Sequence, residues 1–467
     1  MGFRTEHDYL GKVEVPKDAY WGVQTQRAVD NFPISGIRPY PEFITSLAIV
    51  KRAAAEANMK SGLLSAKKAK AIMKAADEII SGKLRDQFVV DVYQAGAGTS
   101  NNMNANEVIA NRAIELLGGK RGEYSLIHPN DDVNKSQSTN DVIPTTMRIT
   151  TITLLMRLKE TVTYLKDALM DKAREFDKII KSGRTHLMDA APIRLGQEFE
   201  TWARMVGRNE GRIDNAIENL GEINIGATAV GTGLNANPEY RKYMVDSLRL
   251  ATGFDLRQTE FLPEGTSSMA DFLETSSVLR LLAVDLIKIT NDMRLLNSGP
   301  VTGLGEISLP PVQPGSSIMP DKVNPSMAEA LVMVCFQVIG NDEAIMMCAQ
   351  AGQLELNIMM PLIIYCMTDN INILDKTIRL FVDKAVTGIV AHKERIEKLV
   401  SKTPGVGLAL NPYIGYEKAA EVVKRALKEN RSIKDVAKEM KVLPDKQLDE
   451  IFDPFKLTSP DTPKKKK

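Results

Sequence analysis

Residues 267–297 read SSMADFLETSSVLRLLAVDLIKITNDMRLLN, a run free of glycine and proline whose apolar residues recur at three- and four-residue steps. That spacing predicts a helix, and its length is well beyond that of an ordinary globular-domain helix, about 10–14 residues. The same pattern recurs at 144–178, 194–220, 325–350 and 358–390. Helices this long, with wide apolar faces, cannot be solvated all round. They predict an all-α fold built on a long helix bundle, with burial against other subunits as well as within the chain.

Outward from the bundle, shorter helical patterns fall at 43–59, 66–81 and 104–117 on the N-terminal side. Residues 1 to about 40, rich in Pro, Gly and aromatics, read as an irregular arm. From about residue 394 short patterns at 416–428, 432–440 and 446–452 predict a small C-terminal helical domain. Loops rich in Gly, Ser, Thr and Asn separate the helices at 95–104, 128–142, 182–192, 226–238 and 299–325. Loops carried on a rigid frame are where chemistry is expected.

The 467 residues are 43% hydrophobic and 25% charged, with formal net charge +1. This is a globular composition without the basic field that would recruit nucleic acid or an anionic membrane. The run Lys464 to Lys467 reads as a solvated tail. Cys335, Cys348 and Cys366 lie in apolar stretches, odd in number and without ligand spacing, as small core residues in a reducing compartment do. The Met-rich stretch 346–360 reads as core packing. No secretory h-region follows Met1, and no window approaches 18 uninterrupted apolar residues, so a cytoplasmic location without a membrane partner is expected.

The stretch Pro314-Gly-Ser-Ser-Ile-Met-Pro-Asp-Lys-Val-Asn-Pro325 places two hydroxyls and an ammonium on one loop hinged at Gly315. It reads as an anion site; its bland alternative is a connector before a helix. Similar donors recur at Ala95-Gly-Ala-Gly-Thr-Ser-Asn-Asn102, at Ser136-Gln-Ser-Thr-Asn-Asp141 and at Gly183-Arg-Thr-His-Leu187. Many neutral donors and few cations suit a small dicarboxylate held by a network. His186 is one of four histidines, and Asp131 and Asp132 after His128 read as helix caps, the alternative being partners of the His128 imidazole. No dinucleotide fingerprint, P-loop, nucleophile elbow or HExxH occurs, so neither a cofactor nor a metal is expected.

In this order these stretches resemble the aspartase/fumarase superfamily, whose signature loop Gly315 to Pro325 looks like. The similarity extends through Ala19-Tyr-Trp-Gly-Val-Gln-Thr25 and Gly231-Thr-Gly-Leu-Asn235 to Asn411-Pro-Tyr-Ile-Gly-Tyr416. The resemblance implies a three-domain protomer, with an N-terminal domain over 1–140, a central bundle over 141–393 and a C-terminal domain over 394–467. It also implies a homotetramer whose active sites are each shared by three subunits.

By position, the resemblance makes Ser316 the base that removes a proton from the substrate carbon. Thr99, Ser138, Thr139 and Ser317 match contacts to the β-carboxylate, and Thr185, Lys322 and Asn324 match contacts to the α-carboxylate. Asn140 and His186 fall where the amino group and α-carboxylate are held, and Glu329 resembles the acid that orients the histidine. Gly96-Ala-Gly-Thr-Ser100 and Thr139 look like the aspartase branch, which eliminates ammonia from L-aspartate to give fumarate. His128-Pro-Asn-Asp-Asp132 has the flavour of class II fumarases, which dehydrate L-malate. That remains the alternative, with a catalytically inactive lyase-fold protein as the reading from another class. Two departures stand out: Asp321, where the family has a small residue, and Val301, where many relatives have arginine.

Overall fold

The computed structural model describes residues 2–401 and 403–459, so the expectation for the lysine tail lies outside the described residues. The first forty residues are more ordered than their composition suggested. Strand β1 (Phe3–Asp8) pairs antiparallel with β2 (Gly11–Pro16), and helix α1 (Val23–Asn31) follows. The stabilising contacts are remote in sequence. The Glu107 carboxylate accepts the backbone N–H groups of Gly22, Gln24 and Thr25 at 2.8, 2.9 and 3.1 Å, and Glu6 accepts that of Val23 at 3.0 Å. Two carboxylates thus satisfy donors at a helix start that has no side-chain cap of its own.

Helices α2 (Pro41–Lys60), α3 (Ala66–Ile80) and α4 (Thr99–Leu116) come next, with α2 packed on α3 and α3 on α4. The long elements follow the apolar periodicity closely: α5 (Thr139–Glu175) and α6 (Leu195–Leu220) flank a hairpin of β3 (Ile180–Thr185) and β4 (Met188–Arg194). A two-stranded pairing of β5 (Glu222–Ile223) with β6 (Arg257–Gln258) brackets α7 (Pro238–Thr252), which the sequence reading passed over. Then come α8 (Leu262–Ser267), α9 (Ala270–Leu296), α10 (Ser326–Gln350) and α11 (Met360–Lys384), with β7 (Ile307–Ser308) paired to β8 (Val390–Ala391).

The remaining helices are α12 (Lys393–Val400), α13 (Asn411–Ile414), α14 (Tyr416–Glu429), α15 (Ile433–Glu439), α16 (Asp445–Ile451) and α17 (Pro454–Leu457). From Leu410 onward they share a small core of Val422, Ile433, Val436, Leu448 and Phe452. By compactness the chain divides into two units. One is Met1–Glu160, Gly211–Ala283 and Cys335–Asp375; the other is Thr161–Glu210, Val284–Val334 and Lys376–Lys467.

Helix α10 alone among the described helices is long and apolar enough to cross a membrane by composition. Asp342 on it is buried and accepts hydrogen bonds from Ser276 at 2.6 Å and Arg280 at 2.7 Å. The three cysteines are buried and unpaired, as expected. The Met-rich stretch departs in part: Met360 is fully buried, whereas Met347 is 60% exposed in the single chain.

Candidate active site

Two helix starts converge on one cavity. Ser138 precedes α5, and its Oγ accepts the Asn140 N–H at 3.2 Å while its own N–H donates to Asp141 Oδ1 at 3.0 Å. This is a reciprocal capping box, and it sets where Thr139 and Asn140 begin the helix. Pro144 lies inside α5 and cannot donate to the Asn140 carbonyl; the Asn224 side-chain amide takes that acceptor instead, at 3.1 Å. Thr99, read from the sequence as a loop residue, is the first residue of α4. It follows Gly98 at φ 83°, where an added Cβ would lie 3.2 Å from Ile143.

Thr99, Ser138 and Thr139 line a cavity of about 750 Å³ together with Asn102, Asn134 and Gln137. The charged residues of the lining are Lys135 and Asp131, one of each sign. Two helix N-termini with hydroxyls and amides around them are suited to a carboxylate. Asn140 is not part of that lining: its amide N–H donates to the Ala229 carbonyl at 2.7 Å, which fixes which end of the amide is oxygen.

Beneath this loop lies a pair of charges that the sequence reading missed. Lys51 is fully buried and donates to Asn134 Oδ1 at 3.0 Å and Gln137 Oε1 at 2.9 Å. Burial pushes its ammonium down to about 7, opposed by the charge of Asp141. Asp141, also fully buried, is pushed up to about 6 by burial, against hydrogen bonds from the Ser138, Thr228 and Gly226 N–H groups and the charge of Lys51. The available signal was a lysine in phase with the apolar face of 43–59.

The signature loop closes on itself. The Gly315 N–H donates to the Lys322 carbonyl at 2.7 Å and Asn324 Nδ2 to the Gly315 carbonyl at 2.8 Å. A Cβ on Gly315 would meet Asn324 N and Lys322 O at 2.7 Å, so only glycine permits the closure. Ser316 Oγ accepts two backbone N–H groups, from Ile318 at 3.2 Å and Met319 at 2.9 Å. Paired donors stabilise negative charge on that oxygen. Ser317 and Lys322 are exposed, and Asn324 is half-buried. Asp321 has φ 59°, the left-handed region that small residues and Asp or Asn enter most easily.

Thr185 and His186 stand on the hairpin at 180–194, which the sequence reading took for a loop. Thr185 ends β3, and His186 with Leu187 makes the two-residue turn; both residues are exposed. Glu329 lies in the first turn of α10, 3.9 Å from Arg294. Thus the structure gathers Thr99, Ser138 and Thr139 in one cavity, and Ser316, Ser317, Lys322 and Asn324 on one loop.

A sequence profile described as Lyase matches residues 11–340, and one described as Fumarase C C-terminus matches residues 409–459. An aspartate ammonia-lyase of Bacillus sp is 50% identical over 457 residues, 98% of each chain. A class II fumarate hydratase of Ralstonia nicotianae is 47% identical over 438 residues, 94% of this chain and 95% of its own. A solved fumarate lyase:delta crystallin from Brucella melitensis superposes with TM-score 0.95 at 46% identity, covering 98% of this chain and 100% of that one. With a family profile over most of its length and near-half identity to such relatives end to end, this all-α chain belongs to the lyase family, in the aspartase/fumarase superfamily.

Proposed function

We propose that the chain is an aspartate ammonia-lyase, converting L-aspartate reversibly to fumarate and ammonia without a cofactor or metal. The observation that carries the serine-base elimination is the Ser316 oxygen held by two backbone N–H donors on the signature loop, and the 50% identity to an aspartate ammonia-lyase over 98% of each chain supports ammonia as the leaving group. The Ser316 alkoxide takes a proton from Cβ of the substrate. The electron pair left on Cβ delocalises into the β-carboxylate as a doubly charged aci-carboxylate, then returns to form the Cα–Cβ double bond as the Cα–N bond breaks and ammonia leaves. Stabilising the doubly charged group is the main task. Thr99, Ser138, Thr139 and Ser317 take the β-carboxylate, and the two helix N-termini at the cavity support that assignment. Thr185, Lys322 and Asn324 hold the α-carboxylate, with His186 beside it, and the Asn140 oxygen accepts from the substrate ammonium.

The proposed assembly is a cytoplasmic homotetramer of three-domain protomers, each site drawing residues from three subunits. Exposed Met156, Leu281, Met333, Phe336 and Met347 on the long helices supply apolar surface for subunit contacts. In that assembly Glu329 orients His186.

The second reading is a class II fumarase, supported by the relative from Ralstonia nicotianae and by His128-Pro-Asn-Asp-Asp132. One experiment separates the two: fumarate absorbance from L-aspartate and from L-malate at the same pH, without added cofactor. The expected result is a kcat/KM for L-aspartate well above that for L-malate. The reverse preference overturns the ammonia-lyase reading in favour of the fumarase, and turnover of neither points to a protein that has lost catalysis.

A further inference from the structure

The turn at His186 and Leu187 is strained, and within the single chain little packing holds it. Both residues have positive φ, 54° and 60°, in a two-residue hairpin turn that ordinarily takes Asn-Gly. Leu187 is 73% exposed and borders a cavity of about 300 Å³ rather than a packed core. Non-glycine residues remain in this conformation only where their surroundings over-determine it.

The restraint is ionic and lies at the base of the hairpin. The strand register shifts between Ser182 and Arg184: Gly183 stands opposite both Ala190 and Ala191, so the extra residue of the bulge lies on β4, and a Cβ on Gly183 would sit 2.7 Å from the Ala191 carbonyl oxygen. Lys181 and Arg184 flank that irregularity on β3, three residues apart, and would face opposite sides of a regular strand. Both reach the carboxylate of Glu306. Arg184 Nη2 donates to Oε1 at 2.6 Å, and Lys181 Nζ lies 2.7 Å from Oε2, an ion contact outside directed hydrogen-bond geometry. Lys181 donates as well to both oxygens of Glu198, at 2.9 and 2.8 Å. Lys181 and Glu306 have side chains only 1% exposed. Glu306 is itself pinned through its backbone, donating to Leu296 O and accepting from His392 N, each at 2.9 Å.

We propose that Glu306 is a positioning residue, clamping Lys181 and Arg184 so that the strained His186–Leu187 turn presents Thr185 and His186 in one fixed geometry. This inference rests on the reading that those two residues meet the substrate. Glu306 touches no substrate; it acts through Arg184, the residue next to Thr185.

The test is a double-mutant cycle in the full-length assembled enzyme. Glu306→Gln is expected to raise KM for L-aspartate by about tenfold or more and to lower kcat, because a displaced contact costs both binding and rate. Leu187→Gly alone should leave KM near wild type. In the Leu187→Gly/Glu306→Gln pair KM should return to within about twofold of wild type, since glycine takes positive φ without a clamp. Arg184→Gln, which leaves Lys181 paired with Glu306 and Glu198, replaces Glu306→Gln in the cycle if that protein does not fold. A lowered melting temperature with unchanged KM, or no recovery in the pair, overturns the clamp. Amide exchange of residues 180–194 follows the turn without turnover, so it tests the clamp even if wild type does not act on L-aspartate. Faster exchange in Glu306→Gln that Leu187→Gly reverses supports it, and unchanged exchange overturns it.

Discussion

An alcohol keeps its proton far above neutral pH, so a serine base needs its oxyanion stabilised before it can act. At Ser316, the proposed base, the Ile318 and Met319 N–H groups supply such donors from within the same loop. Ser316→Ala is expected to abolish turnover while leaving the loop closed, because the Gly315, Lys322 and Asn324 hydrogen bonds do not involve the hydroxyl. The measurement is kcat alongside the circular dichroism spectrum, and a near-normal kcat moves the base elsewhere. Lys51 gives a pH signature. Its folded value of about 7 lies below the ordinary 10.5, so between them the unfolded chain binds more protons and stability rises with pH. Asp141 acts with the opposite sign in a lower window, from 3.8 to about 6, where the folded state holds more protons and stability falls as pH rises. Urea midpoints should therefore rise with pH above about 7 in wild type relative to Lys51→Met. Parallel curves would mean that this ammonium does not titrate there.

At the scale of elements, the proposed carboxylate site is made by how two helices begin. Helix α5 starts with the Ser138–Asp141 capping box, and α4 starts with a left-handed glycine that places Thr99 at its first position. Gly98→Ala combines positive φ with a Cβ 3.2 Å from Ile143. It should cost about 1 kcal/mol or more of stability and shift the start of α4. The expected kinetic result is a higher KM for L-aspartate from a folded protein with unchanged assembly, read by steady-state assay and sedimentation. Unchanged KM would show that the α4 terminus does not meet the substrate.

At the scale of the whole molecule, the proposed shared site makes a prediction about mixed assemblies. Thr185→Ala and Ser316→Ala chains are each expected to be impaired as pure tetramers. Subunit exchange between them should restore part of the activity, because some sites then draw an intact Thr185 and an intact Ser316 from different chains. The measurement is fumarate formation before and after exchange, with sedimentation to establish the assembly. An active monomer would contradict the shared site.

The sequence alone determined the long helices, because apolar residues at three- and four-residue steps specify a buried stripe whatever the partner. Segments 194–220 and 325–350 were read almost to the residue as α6 and α10. It also determined the Gly315 loop, since glycine, serine and proline set local backbone geometry within a few residues. Tertiary structure decided what depends on contacts remote in sequence. The N-terminal hairpin and α1 stand because Glu107 accepts donors some eighty residues away, at Gly22, Gln24 and Thr25. The hairpin of Thr185 and His186 lacks a regular alternation because its bulge breaks the period, and its clamp comes from Glu306, on no motif at all. Lys51 and Asp141 follow the same logic: a buried charge is tolerated only where distant groups surround it, and periodicity carries no record of which groups those are.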